Sequence, residues 1–414
     1  MKQYIPEVRI IQPDGPLHQV VQDLWLEDGY LAEPPTDPLH SADEVFASGL
    51  CISAGWVDLR ARAYDPGKPE RENLHSLLSA AALGGFTQVN VLPDTEPAAD
   101  GRSMFDYWKR QSAHAPAKGL FTGAISKNNE GKELAELFDM KQFGGLAFSD
   151  IGIPISNTLF LKVAMEYCAS VELPLLLRPD DAFLYRSGDV REGVNSHHCG
   201  MPGIPAISES IGVERLAELA LYTGCKVHLT GISTLEGLER LRQWKAKGAP
   251  LTADVSIAHL TMDDRGLLHF DSLWKHHPPL PTMNDRMALL EAVQEGLIDA
   301  VCSDHHPVDH ERKHCEFHLA EEGISCIQAV YPLLQTALGE KAEDHIVKLL
   351  SVGPRKVLQL STPQFKRGEK ADYTLFNPEG DTHFQLNQWS SLSQNFPFFG
   401  QMFKGHVIRT FLTQ

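Results

Sequence analysis

Eight short apolar stretches recur along the middle of the chain, each separated from the next by a longer segment, several with helical spacing. They lie at 56–60, 88–92, 120–124, 145–149, 174–178, 226–230, 251–255 and 300–303. Val, Leu, Ile and Ala face both ways in them, as expected of strands buried on both faces of a parallel sheet. Helices are expected at 72–83, 159–171, 213–222, 235–247 and 287–297. In the first, Leu74, Leu77, Leu78 and Ala81 repeat at 3–4 spacing and Gly84-Gly85 supplies a stop. Eightfold strand–helix alternation over about 250 residues is the arithmetic of an α/β protein of the (β/α)8 TIM-barrel type. An open doubly wound sheet is the competing architecture, but no Gly-rich phosphate-binding turn follows the first strand.

The two ends read differently. Residues 1–52 and 355–414 hold short extended pieces and the turn signals Pro13-Asp14-Gly15, Asp28-Gly29 and Pro378-Glu379-Gly380. Neither end is long enough for a stable domain of its own. Together they are expected to build one small β-sandwich beside a barrel of residues 53–354, which brings the termini close in space.

Composition narrows the function. With 37 basic and 54 acidic residues among 414, the formal charge is −17, so no cationic excess is available to neutralise nucleic-acid phosphates. No apolar run reaches the length of a membrane span, and the first residues lack a secretory apolar core. Seven Cys are scattered without a CxxC pair, which fits reduced thiols. A cytoplasmic protein is therefore expected. Nineteen His invite a metal-enzyme reading that has to be tested position by position.

In a barrel of this kind the chemistry sits at the C-terminal ends of the strands. Those ends carry Asp58, Arg60 and Arg62, then Asp94, Asp150, Arg178, Gly231 with Ser233-Thr234, and Asp304-His305-His306.

At these residues the chain resembles a dihydroorotase of the long, bacterial and multifunctional type, within the cyclic amidohydrolases. The matching pieces are 53–67, 80–97, 144–154, 200–209, 228–237, 252–260, 275–286, 298–307, 368–372 and 395–400. The resemblance implies a (β/α)8 barrel with a small β-sandwich, and one or two zinc ions that generate a hydroxide to attack a cyclic amide. It also implies zinc-binding His at four positions that here hold Arg60, Arg62, Arg178 and Gly231. The segment Asp150-Ile151-Gly152 departs from the family's Asp-Asp-Gly, and no Lys ends the fourth strand. Family substrate contacts fall on Tyr64, Asp94, His277 and Val308, all altered. Asp304, the family's proton-shuttling Asp, and His305 beside it are kept.

Arginine stays protonated and has no lone pair to give a metal. The expectation is a dihydroorotase-like pseudoenzyme of pyrimidine biosynthesis, with no metal at the family site and a vestigial Asp304. Arg60, Arg62, Arg178, Asp58 and His305 are expected to form either a salt-bridged cluster or an anion pocket in place of the zinc. Similar chains resemble scaffolds for aspartate transcarbamoylase, so that enzyme is the expected partner, in an assembly that is also homo-oligomeric. Two alternatives stand beside this reading. One is a working cyclic amidohydrolase with an atypical zinc site; the other is a sensor of small anions that uses the Arg cluster.

Other candidates carry less. His306, His310, His314 and His318 are spaced by four, but Pro307 interrupts the first pair, and a solvated loop is the simpler reading. His197-His198-Cys199 is a second local cluster of the same standing. No G-x-S-x-G elbow is present, so a serine hydrolase is not expected. Trp389, Phe396, Phe398, Phe399 and Phe403 are expected to fill a core or an interface.

Overall fold

The computed structural model describes residues 2–33, 43–44, 49–150 and 154–413. Its centre is an eight-stranded parallel sheet: β1 (Trp56–Ala61), β2 (Phe86–Val91), β3 (Lys118–Gly123), β4 (Gly145–Phe148), β5 (Leu175–Leu177), β6 (Val227–Leu229), β7 (Leu251–Ser256) and β8 (Ala300–Cys302). The strands neighbour one another in chain order. A bridge between Ala61 and His305, with Arg62 N–H donating to the His305 carbonyl at 3.0 Å, brings β8 back to β1. The chain is a TIM barrel.

Among the described residues, eight main helices follow the strands in turn: α1 (Leu74–Leu83), α2 (Arg102–Gln111), α3 (Leu137–Gln142), α4 (Thr158–Ser170), α5 (Ile207–Thr223), α6 (Leu235–Ala246), α7 (Met283–Gln294) and α8 (Val330–Leu338). Their starts are chemically marked. Asn73 accepts from Ser76 N–H at α1, Thr234 from Gly237 N–H at α6 and Thr282 from Asp285 N–H at α7, each meeting an otherwise orphaned donor. Helix α5 begins at Ile207, six residues before the apolar pattern predicts. Its first turn buries Glu209, whose carboxylate accepts from the backbone and hydroxyls of Ser233 and Thr234 at 2.6–3.0 Å. A buried charge on the inner face hides that turn from any hydrophobic count.

Both chain ends build the second sheet, the β-sandwich part of the molecule. Strand Cys51–Ala54 lies between Lys2–Ile11, to which it is parallel, and Asp372–His383, to which it is antiparallel. Met402–Leu412 completes one edge, and Val21–Glu27 with Tyr30–Ala32 the other. Asp28 and Gly29 both take positive φ, 50° and 82°, as a two-residue hairpin turn requires. The Pro378-Glu379-Gly380 signal is a bulge inside a long strand: Asn377 pairs with His406 and Asp381 with Lys404, leaving three residues opposite one. The two ends are tied by Ala371 N–H to the Gly29 carbonyl and Leu31 N–H to the Glu369 carbonyl, at 2.8 and 3.0 Å.

Gly55 and Trp56 join the two parts. A Cβ at Gly55 would fall 2.1 Å from both Asp372 Oδ1 and Thr87 Oγ1, so only glycine lets the sheet lie this close to the barrel. The buried Trp56 ring meets Phe86, Tyr331 and Phe376 at centroid distances of 6.2, 5.0 and 5.4 Å. Such aromatic contacts add about 0.5–1.5 kcal/mol each beyond area burial. The sheet strand continues to Ala54, and Val357 and Leu358 pack with Val57, Leu59 and Leu120 in the barrel. The tail aromatics fill the core: Phe396 meets Trp389 at 4.7 Å and Phe384 at 5.2 Å.

Candidate functional site

The C-terminal ends of the strands bring charge to one place. Arg60 and Arg62 come from β1, Asp94 from the turn after β2, Arg178 from β5, Gly231 from β6, Asp254 from β7 and Asp304 from β8. Arg60 is almost wholly buried. Its Nε lies 3.2 Å from Asp304 Oδ1 and its Nη2 3.4 Å from Asp254 Oδ1, and Nη2 also donates to Cys302 Sγ at 3.3 Å. Arg62 donates from Nε to Asp94 Oδ2 at 2.6 Å, and its Nη1 lies 3.6 Å from Asp304 Oδ1. Asp304 is thus shared by two guanidinium groups.

Burial alone would raise the pKa of Asp304. Arg60 foremost, then His276 and Arg62, outweigh it and hold the carboxyl well below the usual range. Asp304 sits at φ 47°, in the left-handed region that Asp tolerates better than most residues. Asp254 is held low in the same way; His228 Nε2 lies 3.0 Å from Oδ2, and Gly231 N–H donates to Oδ1 at 2.7 Å.

Gly231 explains how Arg60 fits. A Cβ there would lie 3.0 Å from Arg60 Nη1, 3.2 Å from Nη2 and 3.4 Å from Pro278 Cγ, and φ is 71°. The guanidinium occupies the space a side chain at 231 would take.

The remaining sequence candidates go elsewhere. Asp58 forms no direct ion pair with an arginine and feels Arg60 only through its field: it accepts from Ser303 N–H at 2.7 Å and from the Ser303 hydroxyl at 2.6 Å. Burial pushes its pKa up to about 7 despite those donors. His305 also turns away from the arginines. Its Nδ1 accepts from Cys326 N–H at 3.1 Å and its Nε2 faces Glu72 Oε2 at 3.2 Å, which fixes the loop after β8. Both corrections have one cause, since a strand's inner and outer neighbours differ in kind and only the fold says which neighbour a side chain meets. Arg178 pairs with Asp180 at 3.1 Å and lies over the Tyr185 ring at 5.5 Å, so it reaches Asp304 only through its field.

Tyr64 stands between His306 and Arg71, at 6.1 and 5.6 Å. His277 packs edge-on against Tyr185 at 4.1 Å, with Nδ1 3.8 Å from Glu322 Oε2. Val308 is buried and its N–H donates to Asn395 Oδ1 at 3.2 Å. Asn395 also donates to the carbonyls of His306 and Gly323, so the C-terminal segment latches the loop after β8. Asp150 accepts from Ile125 N–H and Ser126 N–H, at 2.8 and 2.9 Å; Ile151 and Gly152 lie outside the described residues. Sequence reasoning passed over Asp254 and Cys302 as members of this site. A carboxylate inside the apolar run of β7 was the available signal for the first.

A family model described as Dihydro-orotase-like matches residues 49–237. The dihydroorotase of Carboxydothermus hydrogenoformans is 32% identical over 406 residues, covering 97% of this chain and 94% of that one. That of Syntrophotalea carbinolica is 33% identical, covering 99% and 97%. The chain belongs to the dihydroorotase family. Among solved structures, the L-hydantoinase (dihydropyrimidinase) of Arthrobacter aurescens matches with TM-score 0.85 at 19% identity, covering 99% of this chain and 94% of that one. The dihydropyrimidinase of Brevibacillus agri matches with TM-score 0.80 at 18% identity, covering 99% and 93%. At that identity the likeness is one of fold.

The donor set at the mouth decides whether zinc fits. Arg60, Arg62 and Arg178 offer only N–H donors. Three of the imidazoles near the mouth are engaged: His259 Nε2 donates to the Pro279 carbonyl at 3.2 Å while Nδ1 pairs with Ser256 Oγ at 2.7 Å. His276 Nδ1 donates to the Pro278 carbonyl at 3.1 Å, and burial pushes its pKa down to about 4. His228 is held between Thr252 and Asp254. Among the described residues no group of three or more His, Cys, Asp or Glu is arranged to hold a metal, the His310–His314 pair with rings stacked at 4.2 Å included. The residues of this dihydroorotase-family mouth do not fit zinc. What they form is a network of guanidinium and carboxylate groups.

Proposed function

We propose that the chain is a catalytically inactive member of the dihydroorotase family, a subunit that scaffolds or regulates aspartate transcarbamoylase within an assembly that is also homo-oligomeric. One observation carries the loss of catalysis: the Arg60 guanidinium fills the space beside Gly231 and ties Asp254 to Asp304. A hydrolytic water needs activation at this spot, and a guanidinium neither binds a metal nor accepts a proton. The subunit role is supported by what the barrel keeps and exposes. The outer face of α4 shows Leu159, Val163 and Tyr167 at a spacing of four, and α5 adds Ile207, Ile211 and Tyr222. Contiguous apolar surface of this kind associates readily.

The test is a dihydroorotate assay in both directions with metal analysis, joined to co-elution with the transcarbamoylase. No turnover, no stoichiometric zinc and a joint peak are expected. Turnover with stoichiometric zinc would restore the reading of an active enzyme with an atypical site. Separate elution at micromolar concentration would remove the scaffold.

A second reading, a small-anion sensor, is favoured by Arg178 and His277. Arg178 Nη2 and His277 Nε2 are buried with no hydrogen-bond partner among the described residues. Thermal shift with carbamoyl aspartate and orotate distinguishes the two: stabilisation that is lost in Arg178→Ala supports the sensor.

A further inference from the structure

A wide cavity lies away from the barrel mouth. It has a volume of about 900 Å³ and opens where the first residues of β3 and β4 face the composite sheet. Its wall holds Lys109, Lys118 and Lys370 together with Arg355. Among the described residues, no carboxylate lies within ion-pair distance of these three lysines. The Lys109 ammonium stands on the cavity wall, 3.5 Å from where a Cβ on Gly144 would be. Lys109 also serves the C-terminal turn of α2, where a cation is favourable. Lys118 and Lys370, on a strand and beside one, have no such duty.

Arg355 is fixed in the wall by the protein's own groups. Its side chain is only 2% exposed. Nη1 donates to the Ser361 carbonyl at 2.7 Å, and Nη2 donates to the Gly55 carbonyl and to Asp372 Oδ2 at 2.9 and 2.7 Å. Nε is buried without a partner. Asp372, one of the two carboxylates of the wall, is spent on Arg355, Thr87 and Gln88. Glu369 alone remains against three ammonium groups. In a chain of charge −17 this is a local reversal of sign. Leu120, Leu146, Leu360 and Pro363 supply an apolar wall.

We propose that this cavity is a binding site for a small molecule bearing an oligophosphate, of nucleotide size. The volume lies in the range of small-molecule sites, and compact ammonium charges suit phosphate as point charges. The apolar wall is where a nucleoside would rest.

Isothermal titration of the full chain at low salt tests it, with tripolyphosphate and ATP as probes. One-to-one binding is expected, weakened at least tenfold in K118E/K370E. The same charge change at K127E/K132E, two exposed lysines elsewhere, leaves it unaltered. Far-UV circular dichroism and Tm establish that both variants are folded. Tighter binding of ATP than of tripolyphosphate assigns a nucleotide; equal binding assigns the phosphates alone. The proposal falls if neither probe binds at millimolar concentration, or if both variants lose binding equally. It also falls if poly-glutamate binds where the phosphates do not, since the wall would then be a docking face for an acidic protein segment.

Discussion

Arg60 and Gly231 are complementary: the guanidinium of one lies 3.0 Å from where the other would carry a Cβ. Gly231→Ala therefore meets two penalties, a positive φ and a crowded guanidinium. A destabilisation of about 1–3 kcal/mol is expected. In an Arg60→Met background the second penalty shrinks, so the two changes are non-additive. Urea unfolding of the four species measures the coupling, and strict additivity would show that the two residues do not share the space.

Asp304 is held by two arginines at 3.2 and 3.6 Å. Asp304→Asn leaves both buried cations short of a counter-charge, at a cost of about 3–5 kcal/mol. Arg60→Met together with Asp304→Leu costs less than the sum of the single changes, because neither charge is then stranded. Denaturant midpoints at fixed slope report it; an Asp304→Asn protein as stable as the parent would place the carboxylate outside the network.

The pH response separates Asp58 from Asp304. The folded-state pKa of Asp58 is raised to about 7, above its unfolded value near 3.9. Its proton therefore favours the folded state below about pH 4, and that contribution is lost as pH rises to 7. Asp304 is shifted the other way, so its contribution is present above its unfolded pKa and fades in strong acid. Asp58→Asn keeps an acceptor for Ser303 N–H and removes the titration. The fall of Tm between pH 4 and 7 should flatten in that variant; an unchanged slope would mean that other groups, Glu209 among them, carry it.

The Asn395 side chain makes three hydrogen bonds to the loop after β8, at 3.0–3.2 Å. Asn395→Ala strands a buried N–H and two carbonyls, and a loss of about 2–3 kcal/mol is expected. Hydrogen exchange at residues 303–325 should quicken before any change in the composite sheet. Uniform quickening would instead indicate global destabilisation.

The barrel strands were legible because a strand buried on both faces needs no periodicity, only a run of Val, Leu, Ile and Ala between helices. All eight lie within a few residues of their expected places. The composite sheet was less legible, since its long strands carry a bulge at Pro378-Glu379-Gly380 that reads as a turn. At the site, the register of the strands placed Arg60, Arg62, Arg178 and Gly231 at the mouth. It did not show that Asp58 belongs to Ser303 and His305 to Glu72. Nor could it show Asp254 as a partner of Arg60, because that pairing joins strands nearly two hundred residues apart. Gly231 is the limiting case: its contribution is empty space, and sequence has no symbol for what fills it.

The placement of Cys51–Ala54 has a consequence for synthesis. This strand hydrogen-bonds on one side to the first strand of the chain and on the other to Asp372–His383. A growing polypeptide therefore carries a half-finished sheet through the making of the whole barrel, with one backbone edge open to any neighbouring strand. That edge closes only once Asp372–His383 has been made, after every barrel strand, so a product terminated before it would be released sticky rather than merely short.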